Sequence, residues 1–185
     1  MHHNKYHIHL TRPLHHKFQE ICIQLLRSEL IYDVQFVTNR FARTLATDDK
    51  GRAKKAAESI EANDTTDTDY IERLFTEAVT EAKSRTSFAS GMRGTRMVTD
   101  EVPEKTEEHT FVFRLPYDWR GDAQTLAHLL HSYVAYHAIS HWLSLSSIAQ
   151  AADYSEKADF YLRDAVAELR KQAPAPLPYL TDLMH

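Results

Sequence analysis

A mainly α fold is what the sequence predicts: a helical bundle around a central buried helix at about 122–147, with a small two-stranded β element. Glycine is scarce, 4 in 185 residues, where average usage gives about 13. That disfavours folds built on many tight turns or Gly-rich phosphate loops. Between Asp122 and Asp153 lie 30 residues without Asp, Glu, Lys or Arg. They include four histidines and several serines, too polar for a membrane span of roughly 20 predominantly apolar residues. The stretch therefore reads as a helix inside a water-soluble core. Finally, two isolated segments, 6–12 and 109–115, alternate apolar and polar residues with the period of a half-buried strand. With 43% hydrophobic residues the chain can build one core. The layout is a single helical domain over 1–172, interrupted by a long polar loop at 84–108 and followed by a Pro-rich tail at 173–185.

Tyr6, Ile8 and Leu10 alternate with His7, His9 and Thr11 in the first strand, which Pro13 ends. Residues 14–46 carry a helical stripe, with Phe18, Ile21, Cys22, Leu25 and Leu26 followed by Ile31, Val34, Phe36, Val37, Phe41 and Leu45. The pattern fits one helix or two with a break near Ser28. Thr47 to Gly51 reads as a turn, and 52–62 as a short helix. Asp69 with Glu72 has capping-box spacing and opens a helix at about 69–88, with Ile71, Leu74, Phe75, Ala78, Val79 and Ala82 inward. The second strand holds Phe111, Phe113 and Leu115 on one face. A strand alone leaves its backbone groups unpaired, so the two strands are expected to pair with each other. Asp118 or Asp122 caps the central helix. Asp153 with Glu156 repeats the capping-box spacing and is expected to start a last helix, which runs to about 172 before Pro174, Pro176 and Pro178.

The formal net charge of −4 gives no chain-wide basic footprint for nucleic acid. Cys22 is the sole cysteine, which excludes an intrachain disulfide; between Ile21 and Ile23 it reads as a small buried hydrophobe. The polar N-terminus has no apolar signal region, so a cytoplasmic location is expected. His137 and His141 lie one helical turn apart, as metal-binding helices require. The His-Glu-x-x-His pattern of zinc proteases is absent, because Ala138, Ile139 and Ser140 stand between them. Packed, semi-buried histidines are the simpler reading, and a metal-dependent enzyme using His137 and His141 is kept as an alternative. No Gly-x-Ser-x-Gly elbow or phosphate loop occurs. Trp119 and Trp142 read as packing anchors. No cofactor and no catalytic residue is assigned.

The 84–108 loop separates its charges: Arg85, Arg93 and Arg96, then Glu101, Glu104 and Glu107. A loop of this length is functional or disordered, and these six residues are the candidate partner contacts. The segments Ile8 to Leu14, Phe111 to Pro116, Leu129 to Val134, Trp142 to Ser144 and Tyr154-x-x-Lys157-Ala158 resemble uncharacterised virion-cluster proteins of prophages in gut bacteria. More loosely, residues 122–172, ending in Ala167-Glu168-Leu169-Arg170, are similar to the helical head–tail connector (adaptor) proteins of tailed phages. The resemblance implies a non-enzymatic virion assembly component whose partners are other virion proteins or copies of itself, with no direct nucleic acid contact and no membrane. A helical partner-binding adaptor outside a virion is the alternative.

Overall fold

The computed structural model describes residues 5–11, 18–48, 65–89, 107–145 and 147–172. The expected helix at 52–62, most of the 84–108 loop and the tail from 173 lie outside them. The described chain is mainly helical with a small antiparallel sheet. Its elements are β1 (Tyr6–Thr11), β2 (Phe18–Leu26), α1 (Arg27–Asp48), α2 (Thr65–Arg85), β3 (Glu108–Pro116), α3 (Ala123–Ser144) and α4 (Ile148–Leu169).

The sheet corrects the expected two-stranded pairing. β1 and β3 do not touch; β2 lies between them in the order β1-β2-β3, antiparallel to both. Ile8 pairs with Ile23, and Ile23 with Phe111. The apolar residues of 18–26 satisfy the helical spacing that predicts a helix over 14–46. They satisfy a period of two equally well: Gln19, Ile21, Ile23 and Leu25 are buried and their neighbours are not. Tertiary pairing decides the ambiguity, since a middle strand satisfies the backbone groups of both flanking strands. The suspected break near Ser28 is the junction of this strand with α1. Cys22 falls on the opposite pleat from Ile21 and Ile23, in register with His9 and Val112. It is half-buried on the outer sheet face rather than in the core.

The inner sheet face, with Ile21, Ile23, Leu25, Phe111, Phe113 and Leu115, joins one apolar core with the helices. α3 is central as expected and buries residues around most of its circumference, from Leu126 to Leu143. It packs against α1, α2, α4 and the first two strands. Asp122 is its N-cap: the carboxylate accepts from the Thr125 backbone N–H at 2.7 Å, which satisfies one of the free amides of the first turn. α4 returns along α3, with Ala151, Ala158 and Ala165 buried. Such small side chains let two helices approach closely, and Ser140 Oγ donates to the Ala151 carbonyl at 3.0 Å.

Both expected capping boxes are displaced. α2 begins at Thr65, and Glu72 is buried against Arg27 instead of capping. α4 begins after Ser147, which holds the extended N-cap backbone, so Asp153 and Glu156 are exposed residues within the helix. α1 also runs through Asp48, into the expected turn. Among the described residues no helix is long and apolar enough to cross a membrane.

Candidate functional site

Of the six predicted partner contacts, Arg85 and Glu107 are described. Arg85 is exposed at the end of α2, 3.5 Å from Glu81 one turn earlier. Glu107 precedes β3, and its carbonyl accepts from the Arg27 backbone N–H at 3.0 Å. The structure does not bring the two together. Arg93, Arg96, Glu101 and Glu104 lie outside the described residues.

The histidines of α3 divide by burial. His128 and His141 are exposed, His137 is half-buried and His131 is buried. The His137 and His141 rings lie 4.5 Å apart. Burial, and then His141 beside it, hold the His137 imidazole below its ordinary range, against Glu81, Glu77 and Asp159, which act to raise it. Tyr133 adjoins His137 at 5.8 Å and donates to Glu81 at 3.0 Å. Burial and that hydrogen bond push the phenol far up. Among the described residues no three His, Cys, Asp or Glu side chains converge as a metal would require.

His131 belongs to a cluster with no local sequence signal. Its Nε2 lies 2.9 Å from Asp33 Oδ2, which also accepts from Lys5 Nζ at 2.6 Å. The three residues come from α3, α1 and the residue before β1, so the cluster ties three elements together. Burial alone would raise the Asp33 carboxyl; the hydrogen bonds from His131 and Lys5 overcome it and hold the group below its ordinary value. His131 Nδ1 is buried and finds no partner among the described residues. Nucleophilic catalysis needs a nucleophile in hydrogen-bond reach of the base. Nε2 is committed to Asp33 and no described hydroxyl or thiol meets Nδ1, so the cluster is built as a clamp.

Two further clamps fix element ends. Arg27, the first residue of α1, pairs with Glu72 of α2. Glu168, 4% exposed near the end of α4, accepts from the Asp122 backbone N–H at 2.7 Å and from Lys171. Its carbonyl accepts from Trp119 Nε1 at 3.0 Å. A carboxylate here also faces the positive end of the α3 dipole. Both tryptophans are packing groups, Trp142 lying against Tyr70 at 5.9 Å.

Some apolar side chains also face outward. Tyr32 and Phe36, one turn apart on α1, are 60% and 56% exposed and stack on each other at 6.3 Å. Phe36 was expected in the core stripe. Val34 and Leu30 take that side of the helix, which turns position 36 to solvent. Leu145 and Ile148 at the α3–α4 corner are 71% and 82% exposed. No family model, no curated protein and no solved structure matches the chain.

Proposed function

We propose that the chain is a non-enzymatic virion component of a phage or prophage, of the head–tail connector kind, which packs beside other virion proteins or copies of itself. The observation that carries this reading is the stacked Tyr32–Phe36 pair on the open side of α1. Single exposed apolar residues are ordinary on a surface. Two aromatic rings held against each other in water are a preformed contact, and burying such a side chain is worth about 1.5–3 kcal/mol. The three clamps support the same reading, because an assembly subunit needs a body whose elements keep their positions while its outer faces are covered.

The test is composition of particles. Phage particles induced from the source strain and purified by density should contain the chain in several copies each, read by quantitative mass spectrometry. A Tyr32→Ser, Phe36→Ser double variant should keep its thermal midpoint within a few degrees and be depleted from particles. Absence of the wild-type chain from the particles would overturn the reading.

A further inference from the structure

His109 opens the inner face of β3. It is 8% exposed, pairs with Leu25 of β2 and lies edge-on against Phe75 of α2 at 6.1 Å. Its Nε2 is buried and meets no hydrogen-bond partner among the described residues. A buried polar nitrogen left in that state costs free energy, and native proteins hold few of them without a reason. Packing on Phe75 accounts for an aromatic ring at this place. It does not account for a nitrogen in that ring, since a phenyl group would pack there as well.

Two cations from other elements stand near it. Phe111 follows His109 on the same pleat, and Lys83 of α2 holds its Nζ 5.7 Å over the Phe111 ring. Lys83 is exposed as a residue, yet its ammonium is turned onto this buried aromatic, and burial lowers it from its ordinary value. No carboxylate pairs with it among the described residues. Arg27 begins α1 beside the start of β3, where its backbone N–H donates to the Glu107 carbonyl at 3.0 Å. Its guanidinium is bound to Glu72, which leaves Lys83 as the uncompensated charge. Both cations are close enough to hold the His109 imidazole down, and no described carboxylate acts on it in the opposite sense. The ring is therefore neutral at neutral pH and can carry its hydrogen on Nε2. A buried imidazole donor from β3 and a desolvated ammonium from α2 are together the partners that an oxyanion takes.

We propose that His109 Nε2 and Lys83 Nζ bind a phosphate group at the edge of the core, between α2 and the start of β3. One phosphate oxygen accepts from the imidazole N–H and another meets the ammonium, replacing the solvation that Lys83 has lost. A phosphate suits donors on separate elements, because its oxygens diverge in three directions and carry more charge than a carboxylate. Inorganic phosphate and a phosphate ester share that group. The inference does not rest on the assembly reading. It is tested in solution without particles, so either can fail while the other stands.

The probe is sodium phosphate, titrated at neutral pH and constant ionic strength into the isotopically labelled full chain. Backbone amide and imidazole nitrogen NMR shifts are followed, and methyl phosphate and sodium acetate are run in the same way. Saturable shifts of His109 Nε2 and of the amides near Lys83 and Phe111 are expected, with acetate weaker. Saturation by methyl phosphate as well upholds the site and admits a phosphate ester; saturation by inorganic phosphate alone upholds it for the free ion. Lys83→Gln, which keeps the length and removes the charge, should bind at least about fivefold more weakly. His109→Phe should lose binding similarly while its thermal midpoint holds or rises, because the phenyl ring leaves no orphaned nitrogen. Arg85→Gln, which removes an exposed cation two residues further along α2, should bind as the wild type does. Unchanged spectra away from the site confirm each fold. A response that never saturates, acetate binding as tightly as phosphate, full binding by Lys83→Gln or by His109→Phe, or equal loss in Arg85→Gln would each overturn the proposal.

Discussion

A bare Cα at Gly121 lets the chain between β3 and α3 lie flat on the end of α4. A Cβ there would come within 2.3 Å of Trp119 Cζ2 and 2.7 Å of the Glu168 carbonyl oxygen. Both groups are held, because that carbonyl accepts the Trp119 indole N–H and the Glu168 carboxylate accepts from Asp122. The clash cannot be relieved by swinging a free side chain. Gly121→Ala is expected to destabilise the chain by about 1–3 kcal/mol, the usual cost of overpacking, measured by urea unfolding. Ala127→Gly would be a poor control, being a buried helix position; Arg120→Ala, close by but exposed, should change stability far less.

β2 is the element on which the sheet depends, since each flanking strand pairs only with it among the described strands. Ile23 sits at its middle, fully buried. Ile23→Ala should cost about 2–5 kcal/mol by equilibrium denaturation. Val112→Ala, on the outer sheet face between Phe111 and Phe113 and 37% exposed, should cost under about 1 kcal/mol. β2 is also where reading the sequence fell short. α3 was legible because a run without charge has one stable place, the interior; the stripe of α2 and the alternation of β1 and β3 were equally plain. In β2, Phe18, Ile21, Cys22, Leu25 and Leu26 fit a helical face while Ile21, Ile23 and Leu25 fit a strand, and only the partners decide. The polar clusters were illegible for a related reason. Asp33 and His131 stand 98 residues apart, so no local spacing joins them.

The molecule as a whole should lose stability in acid in two stages. Burial lowers the His109 and His137 imidazoles from 6.5, helped at His109 by Lys83 and Arg27 and at His137 by His141. The folded chain therefore keeps them neutral where the unfolded chain takes up protons. The unfolded state binds more protons, so stability falls as pH drops below 6.5 and levels off below the folded values. The Asp33 carboxyl is also lowered, from 3.8. Its contribution is complete above 3.8 and is lost as pH falls through the folded value. Thermal midpoints between about pH 8 and pH 5 should decline, and a His109→Phe, His137→Phe double variant should flatten that decline. A slope unchanged by the double substitution would place the acid sensitivity elsewhere.

The order of the sheet has a consequence during synthesis. The β1–β2 hairpin leaves the ribosome well before its completing strand, which pairs Phe111 with Ile23 and is translated only after both α1 and α2. At about 5–20 residues per second, the nascent chain carries Ile21, Ile23 and Leu25 for several seconds without β3 or α3 to cover them. A free β2 edge beside an uncovered apolar face is a template for pairing with a neighbouring chain. The growing polypeptide, rather than the finished one, is thus the form that most needs a chaperone.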